Sequence, residues 1–190
     1  MDWLETERLV LRAPRLNDAQ PIFERYASDP EVTRYLGWPR HTSVADTRAF
    51  VKFSATEWDK WNAGPMVAIS RSDGTLLGST GLTFEAPDVA QTGYVFARDA
   101  WGQGYATEVL RAMNELATLR GVKRLYALCH PEHRASWHVL EKCGFDREGI
   151  LPRHSVFPNL SPQPADVVSY ARTLREKSGI GNRESGMAQG

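Results

Sequence analysis

The chain has 190 residues, enough for one domain with its own core, and 23 Lys plus Arg balance 23 Asp plus Glu. That neutrality lacks the basic excess of a general nucleic-acid or membrane-surface binder, so neither partner is expected. No apolar run reaches bilayer length, the start MDWLETERLVLR has no signal-peptide core, and Cys129 and Cys143 make no disulfide framework; a cytoplasmic protein is expected.

Residues 8–12, RLVLR, alternate up to Pro14 and predict a strand. LNDAQPIFERYAS (16–28) predicts a helix with Asn17 or Asp18 near its N-cap and Pro21 in its early turns. Asp29-Pro30 breaks it, and a short helical piece ends at Gly37. Ser43, with Asp46 three residues on, caps a helix running to Trp61. MVAIS (66–70), LLGSTGLTF (76–84) and VAQTGYVFA (89–97), separated by turn residues, predict an antiparallel meander.

A helix with Val109, Leu110, Met113, Leu116 and Ala117 on one face follows and stops at Gly121. KRLYALC (123–129) predicts a strand and ASWHVLEKC (135–143) a short helix stopped by Gly144. FDREGIL (145–151) and ADVVSYARTL (165–174) predict a last strand pair, joined by the proline-rich loop PRHSVFPNLSPQP. The final sixteen residues, 175–190, lack a core pattern and are expected to be disordered. The fold class is therefore α+β.

WGQGYATE (101–108) places Gly102 and Gly104 just ahead of a helix, whose first N–H groups and dipole attract anions. A mononucleotide P-loop needs Lys-Ser or Lys-Thr after its last glycine, but Tyr105-Ala106 follow here. A dinucleotide fingerprint needs a third glycine near Thr107 and an acid about 20 residues on, and neither is present. A merely tight turn and a pyrophosphate cradle of another kind both remain.

This segment resembles the acetyl-coenzyme A loop, Gln/Arg-x-x-Gly-x-Gly/Ala, of the GNAT acyltransferase superfamily, with Gly104 and Ala106 at its small positions. Trp101 in place of the polar first residue is similar to the ribosomal-protein N-terminal acetyltransferase (RimJ/RimL-type) branch. ETERLVLRAP (5–14), TGYVFARDAWGQGYATE (92–108) and HRASWHVLEKCGFDREG (133–149) resemble that branch in order. The resemblance implies one acetyltransferase domain over residues 1–174. It implies a mixed, mostly antiparallel sheet splayed between two central strands, with helices on both faces.

It further implies acetyl-coenzyme A as co-substrate and a primary amine, a peptide N-terminus or a small molecule, as acceptor. A homodimer is compatible with the branch. The backbone of Tyr94, Val95 and Phe96 would pair with the cofactor, and Val95 and Phe96 N–H would polarise the thioester carbonyl. Trp101, Gly102, Gln103, Gly104, Tyr105, Ala106 and Thr107 would hold the pyrophosphate. Ser136 would serve as general acid toward the thiolate, because the family's tyrosine acid is replaced by Leu140. His133 stands where the branch has Asn and would contact the cofactor.

Gln91 stands where the branch carries an acid and cannot accept a proton, so no base is assigned; Glu85, Asp88 and His154 are the substitutes. That departure motivates the alternative of a non-catalytic acyl-coenzyme A sensor. From the residues alone, Ser136 reads equally as a helix serine bonded to local backbone.

A metal site among Cys129, His130, His133, His138 and Cys143 is disfavoured, since His138 points opposite Ser136 on the helix. Ser136 lacks the elbow of an acyl-enzyme nucleophile. Tyr35, Trp38, Trp58 and Trp61 read as core or as an acceptor pocket, with the Tyr35-Leu36-Gly37-Trp38-Pro39 bend the better pocket candidate. Arg153 and His154 sit where they could face an acceptor.

Overall fold

The computed structural model describes residues 3–174; the expectation for 175–190 lies outside them. One eight-stranded sheet organises the chain. Its first hairpin pairs β1 (Trp3–Glu5) antiparallel with β2 (Leu9–Arg12). The three-residue β1 carries no legible alternation.

The helix expected over 16–28 is instead segmented into a 3₁₀ turn, α1 (Ala19–Ile22) and a π turn at Phe23–Ala27. Asp18, as expected, stands at the N-cap of α1, though without a side-chain cap bond to it. Arg15 is the N-cap of the 3₁₀ turn, and the Asp18 carboxylate accepts the Arg15 N–H (2.6 Å) while pairing with Arg12 (2.7 Å). Next, α2 (Pro30–Thr33) starts on an Asp29 side-chain cap, and α3 (Val44–Trp61) on the expected Ser43/Asp46 capping box.

The meander is β3 (Pro65–Ser70), β4 (Leu76–Ala86) and β5 (Val89–Phe96). A single long crossover, α4 (Tyr105–Leu119), returns the chain to β6 (Arg124–Cys129), which pairs parallel with β5. After α5 (Arg134–Lys142), β7 (Asp146–Val156) takes the outer edge and β8 (Pro164–Thr173) inserts between β6 and β7.

Here the sequence expectation needs correction, because residues 152–156 of the proline-rich loop belong to β7. Pro152 is tolerated because the ladder shifts register between Leu151 and Ser155, where no proline N–H is required. Arg153 takes φ 48° within that bulge, its N–H donated to Asp166 at 2.9 Å.

Strand alternation divides the core between two faces. Leu9, Leu11, Met66 and Ala68 pack with Val109, Leu110 and Met113 of α4 and Leu140 of α5. Val67, Leu76 and Val95 pack instead with Ile22, Tyr26 and Val51 beneath α1–α3. Helices therefore cover both faces.

β5 and β6 share only three register pairs, Val89–Arg124, Ala90–Leu125 and Gln91–Tyr126. Beyond them β5 stays on β4 to Phe96, and β6 stays on β8 to Cys129. The sheet opens between its two central strands.

Candidate active site

The phase of the β4–β5 ladder decides which backbone groups face that opening. Ala97 N–H donates to Leu77 C=O (2.8 Å) directly across an unshifted register, so Val95 is likewise hydrogen-bonded to Ser79 of β4. Consistently, a Cβ on Gly78 would collide with the Val95 carbonyl oxygen. Thr92, Tyr94 and Phe96 therefore turn their N–H and C=O toward the gap. Of the two expected carbonyl-polarising donors, Phe96 faces the opening and Val95 does not; a Val95 side chain read from sequence carries no ladder phase.

From the end of β5 at Phe96 the chain runs through a short turn to the start of α4. Gly102 and Gly104 adopt φ 73° and 83°, conformations that L side chains rarely hold. Gly104 is the N-cap without a side-chain cap bond, and the first helical bond runs from Glu108 N–H to Gly104 C=O (3.1 Å). The N–H groups of Tyr105, Ala106 and Thr107 precede it at the positive end of a four-turn helix, facing the turn.

The turn's own side chains act mainly as anchors. Trp101 Nε1 donates to Phe96 C=O (2.8 Å), tying turn to strand, and Gln103 Nε2 donates to Asp99 C=O (2.6 Å). Arg8, which the sequence did not single out, donates to Gln103 C=O (2.8 Å) and pairs with Glu108 (2.7 Å). Its guanidinium lies 4.3 Å from the Tyr105 ring centre, and Tyr105 stacks on Phe96. Burial works against the Glu108 carboxylate, but the Thr6 hydroxyl and Arg8 hold its pKa below the usual value.

Ser136 lies across the gap from β5, on the first turn of α5. Its Oγ is 3.0 Å from the Tyr94 hydroxyl and 3.3 Å from Cys129 Sγ. These partners come from β5 and β6, so the local-backbone reading of this serine does not hold. Burial raises the Tyr94 hydroxyl well above its ordinary value and pushes the Cys129 thiol up to about 11. Ser136 thus sits between two neutral groups at neutral pH, with its proton uncommitted to any anion.

Tyr94 as a side chain and Cys129 were both missed, since neither lies at a motif's polar position. His133 is the N-cap residue of α5 but makes no cap bond; it stacks on Tyr35 at 5.0 Å, and burial, then His130, lowers its pKa.

A cavity of about 570 Å³ runs through the gap. On the α4–α5 side it is lined by Thr92, Tyr94, Cys129, Ser136 and Leu140; on the other, by Glu85, Gln91, Tyr126 and the Tyr35–Trp38 bend.

The expected bend, His154 and Glu85 do line this cavity. Trp58 and Trp61 do not. Trp58 donates to Pro65 C=O (2.8 Å) and Trp61 stacks on Phe84 (5.1 Å), both as packing. Asp88 instead holds the start of β6, its C=O accepting from Lys123 and Arg124 N–H.

His138 is exposed, its Nδ1 4.0 Å from Glu141, and no group of three His, Cys, Asp or Glu converges among the described residues. Cys143 is buried, its thiol directed to Thr107 C=O (3.6 Å).

Comparison with known proteins agrees with this arrangement. The family model described as acetyltransferase (GNAT) domain matches residues 8–146. The uncharacterized N-acetyltransferase p20 of Bacillus licheniformis is 30% identical over 182 residues, covering 94% of this chain and 100% of the relative. The uncharacterized N-acetyltransferase YoaA of Bacillus subtilis is 32% identical over 174 residues, covering 89% and 96%.

Among solved structures, a GNAT-family acetyltransferase from Bacillus anthracis superposes with TM-score 0.78 at 25% identity, covering 90% of this chain and 98% of that one. RimL, a ribosomal L7/L12 α-N-protein acetyltransferase solved with coenzyme A, gives 0.81 at 22% identity over the same shares. The open seam between β5 and β6, the anion-seeking turn at α4 and these matches lead to one conclusion: the chain belongs to the GNAT acetyltransferase family.

Proposed function

We propose that this protein is an acetyl-coenzyme A-dependent N-acetyltransferase acting by direct attack of a primary amine on the thioester. The observation that carries the reading is the open seam beside β5, toward which the Tyr94 backbone and the Phe96 N–H turn, on the strand that runs on into the uncapped start of α4. An extended pantetheine arm fits the first part and a pyrophosphate the second. Structural neighbours solved with coenzyme A, and with acetyl-coenzyme A and AMP, support the same assignment.

In this reading Phe96 and Tyr94 N–H face the thioester carbonyl and stabilise the charge developing on its oxygen. Gly102 and Gly104 admit the pyrophosphate to the N–H groups of residues 104–107, with Arg8 bracing the turn. Ser136 gives its proton to the departing sulfur, and Tyr94 holds it in place. Acceptors enter beside Tyr35 and Trp38. Peptide N-termini, the substrate class named for RimL, and small amines both fit this description.

Thermal unfolding with acetyl-coenzyme A, and with NAD as control, tests the cofactor half. At about 100 times its Kd a ligand of the folded state adds about 2.7 kcal/mol. For a chain of this size that is a rise of roughly 5–11 °C. The same rise with NAD, or none with either, would overturn the reading.

A further inference from the structure

Glu85 is the extra residue of a bulge. The β4–β5 register passes from Phe84–Ala90 to Ala86–Val89, leaving Glu85 without a partner on β5. Bulges re-aim side chains, and this one brings the Glu85 carboxylate onto the Tyr126 hydroxyl of β6, with which it makes a short hydrogen bond. The same hydroxyl lies 3.5 Å from Gln91 Oε1. Gln91–Tyr126 is the last register pair before the central strands part, so the three side chains stand at the vertex of the opening. All three line the cavity on the side opposite Ser136.

We propose that Glu85 is the proton acceptor for the incoming amine, replacing on β4 the acid that Gln91 lacks on β5. The inference rests on the transfer reading above.

An alkyl ammonium, with a pKa of about 10.4, has no lone pair to offer at neutral pH. One N–H bond breaks and its proton passes to Glu85 over water. The freed lone pair forms the N–C bond while the C–S bond breaks. The nitrogen gives up a second proton as the amide forms. Of the two, the net balance puts one on the coenzyme sulfur, where Ser136 delivers it, and one in solvent, released from Glu85.

Position favours this residue over its rivals. The Asp88 carboxylate faces Lys123 (3.7 Å) and is not among the residues lining the cavity, and His154 lies on β7 with its Nδ1 2.9 Å from Ser155 Oγ. The other groups facing Glu85 leave it accessible as an acceptor. Tyr126 donates to it, Gln91 is uncharged, and the Arg124 guanidinium is held by Glu148 at 2.7 Å. Lys123 is drawn to Asp88 at 3.7 Å.

The test compares two small acceptors that fit any groove: a primary alkylamine, charged at pH 7, and hydroxylamine, uncharged there. In Glu85→Gln, alkylamine transfer should fall about 10²-fold in kcat/KM at pH 7 and recover with rising pH, as solvent takes over deprotonation. Hydroxylamine transfer and the thermal shift with acetyl-coenzyme A should stay at wild-type values. The double substitution Glu85→Gln/Gln91→Glu should restore alkylamine transfer.

Equal loss with both acceptors, or loss with neither, would overturn the role of Glu85 while leaving the transferase reading intact. Failure of the wild-type protein to acetylate either amine would overturn the transferase reading and this inference with it.

Discussion

The Tyr94 hydroxyl sits 3.0 Å from Ser136 Oγ and 3.2 Å from the Ser136 carbonyl oxygen, binding β5 to the first turn of α5 across the open seam. The strand beside the opening and the helix that carries Ser136 are thereby held at one spacing. Ser136→Ala should lower kcat about 10²-fold, and Tyr94→Phe about tenfold. Their double substitution should cost little more than Ser136→Ala alone, because Tyr94 acts through the serine. Steady-state kinetics of the four proteins check this; additive losses would separate the two residues.

Gly104→Ala tests the turn. Its Cβ would meet only Arg8 Nη2, at 3.5 Å, so space is not the obstacle; φ 83° is. A left-handed alanine costs about 1–2 kcal/mol. The Tm should drop by roughly 2–8 °C. Acetyl-coenzyme A affinity should fall further than the Tm implies, because the new methyl stands beside the N–H groups. Calorimetric titration gives the Kd.

Asn159 braces the Tyr35–Trp38 wall of the cavity. Its amide donates to Thr33 C=O (2.7 Å) and Trp38 C=O (2.9 Å), and its Oδ1 accepts Arg40 N–H (2.8 Å). It thus pins the β7–β8 connection to the Tyr35–Trp38 bend. Asn159→Ala should raise the acceptor KM several-fold and cost about 1–2 kcal/mol. Acetyl-coenzyme A binding should be unchanged. A rise in cofactor Kd equal to the rise in KM would contradict this division of labour.

Stability should fall on mild acidification. Burial lowers the pKa of His41, His130 and His133, so the unfolded chain binds protons more readily than the folded one. Stability is therefore full above the ordinary histidine value of about 6.5 and is lost as pH drops through and below it. Asp18, Glu108 and Glu148, with lowered values, lose their contribution only further down, below about pH 4.5. Unfolding scans between pH 7.5 and 5 should show a falling Tm, and His130→Gln/His133→Gln should flatten it.

The helix stops at Gly121 and Gly144, the Ser43 box and the meander were legible because each rests on local chemistry. The Gly102/Gly104 turn was legible from its place just ahead of a helix, whereas Ser136 was singled out only by the family resemblance. Val95 was misassigned because hydrogen-bond phase is a property of the β4–β5 pair, not of either strand. Tyr94, Cys129, Arg8 and Asn159 acquire meaning only from partners 7 to 126 positions away. Glu85 was visible as a candidate, but its bulge could be seen only against β5. The 152–156 stretch was hidden by its proline, whose strand-breaking effect the register shift absorbs.

The seam between β5 and β6 has a consequence for the protein before any substrate arrives. Most proteins keep unpaired strand edges short, charged or covered at the rim of a sheet, because such edges recruit other chains. This molecule carries two of them at its centre, joined at one end by three residue pairs and spanned by the Tyr94–Ser136 bridge. A bound pantetheine would serve as a missing strand. Solubility and resistance to aggregation should then rise and fall with coenzyme A supply, making the cofactor a structural component as much as a reactant.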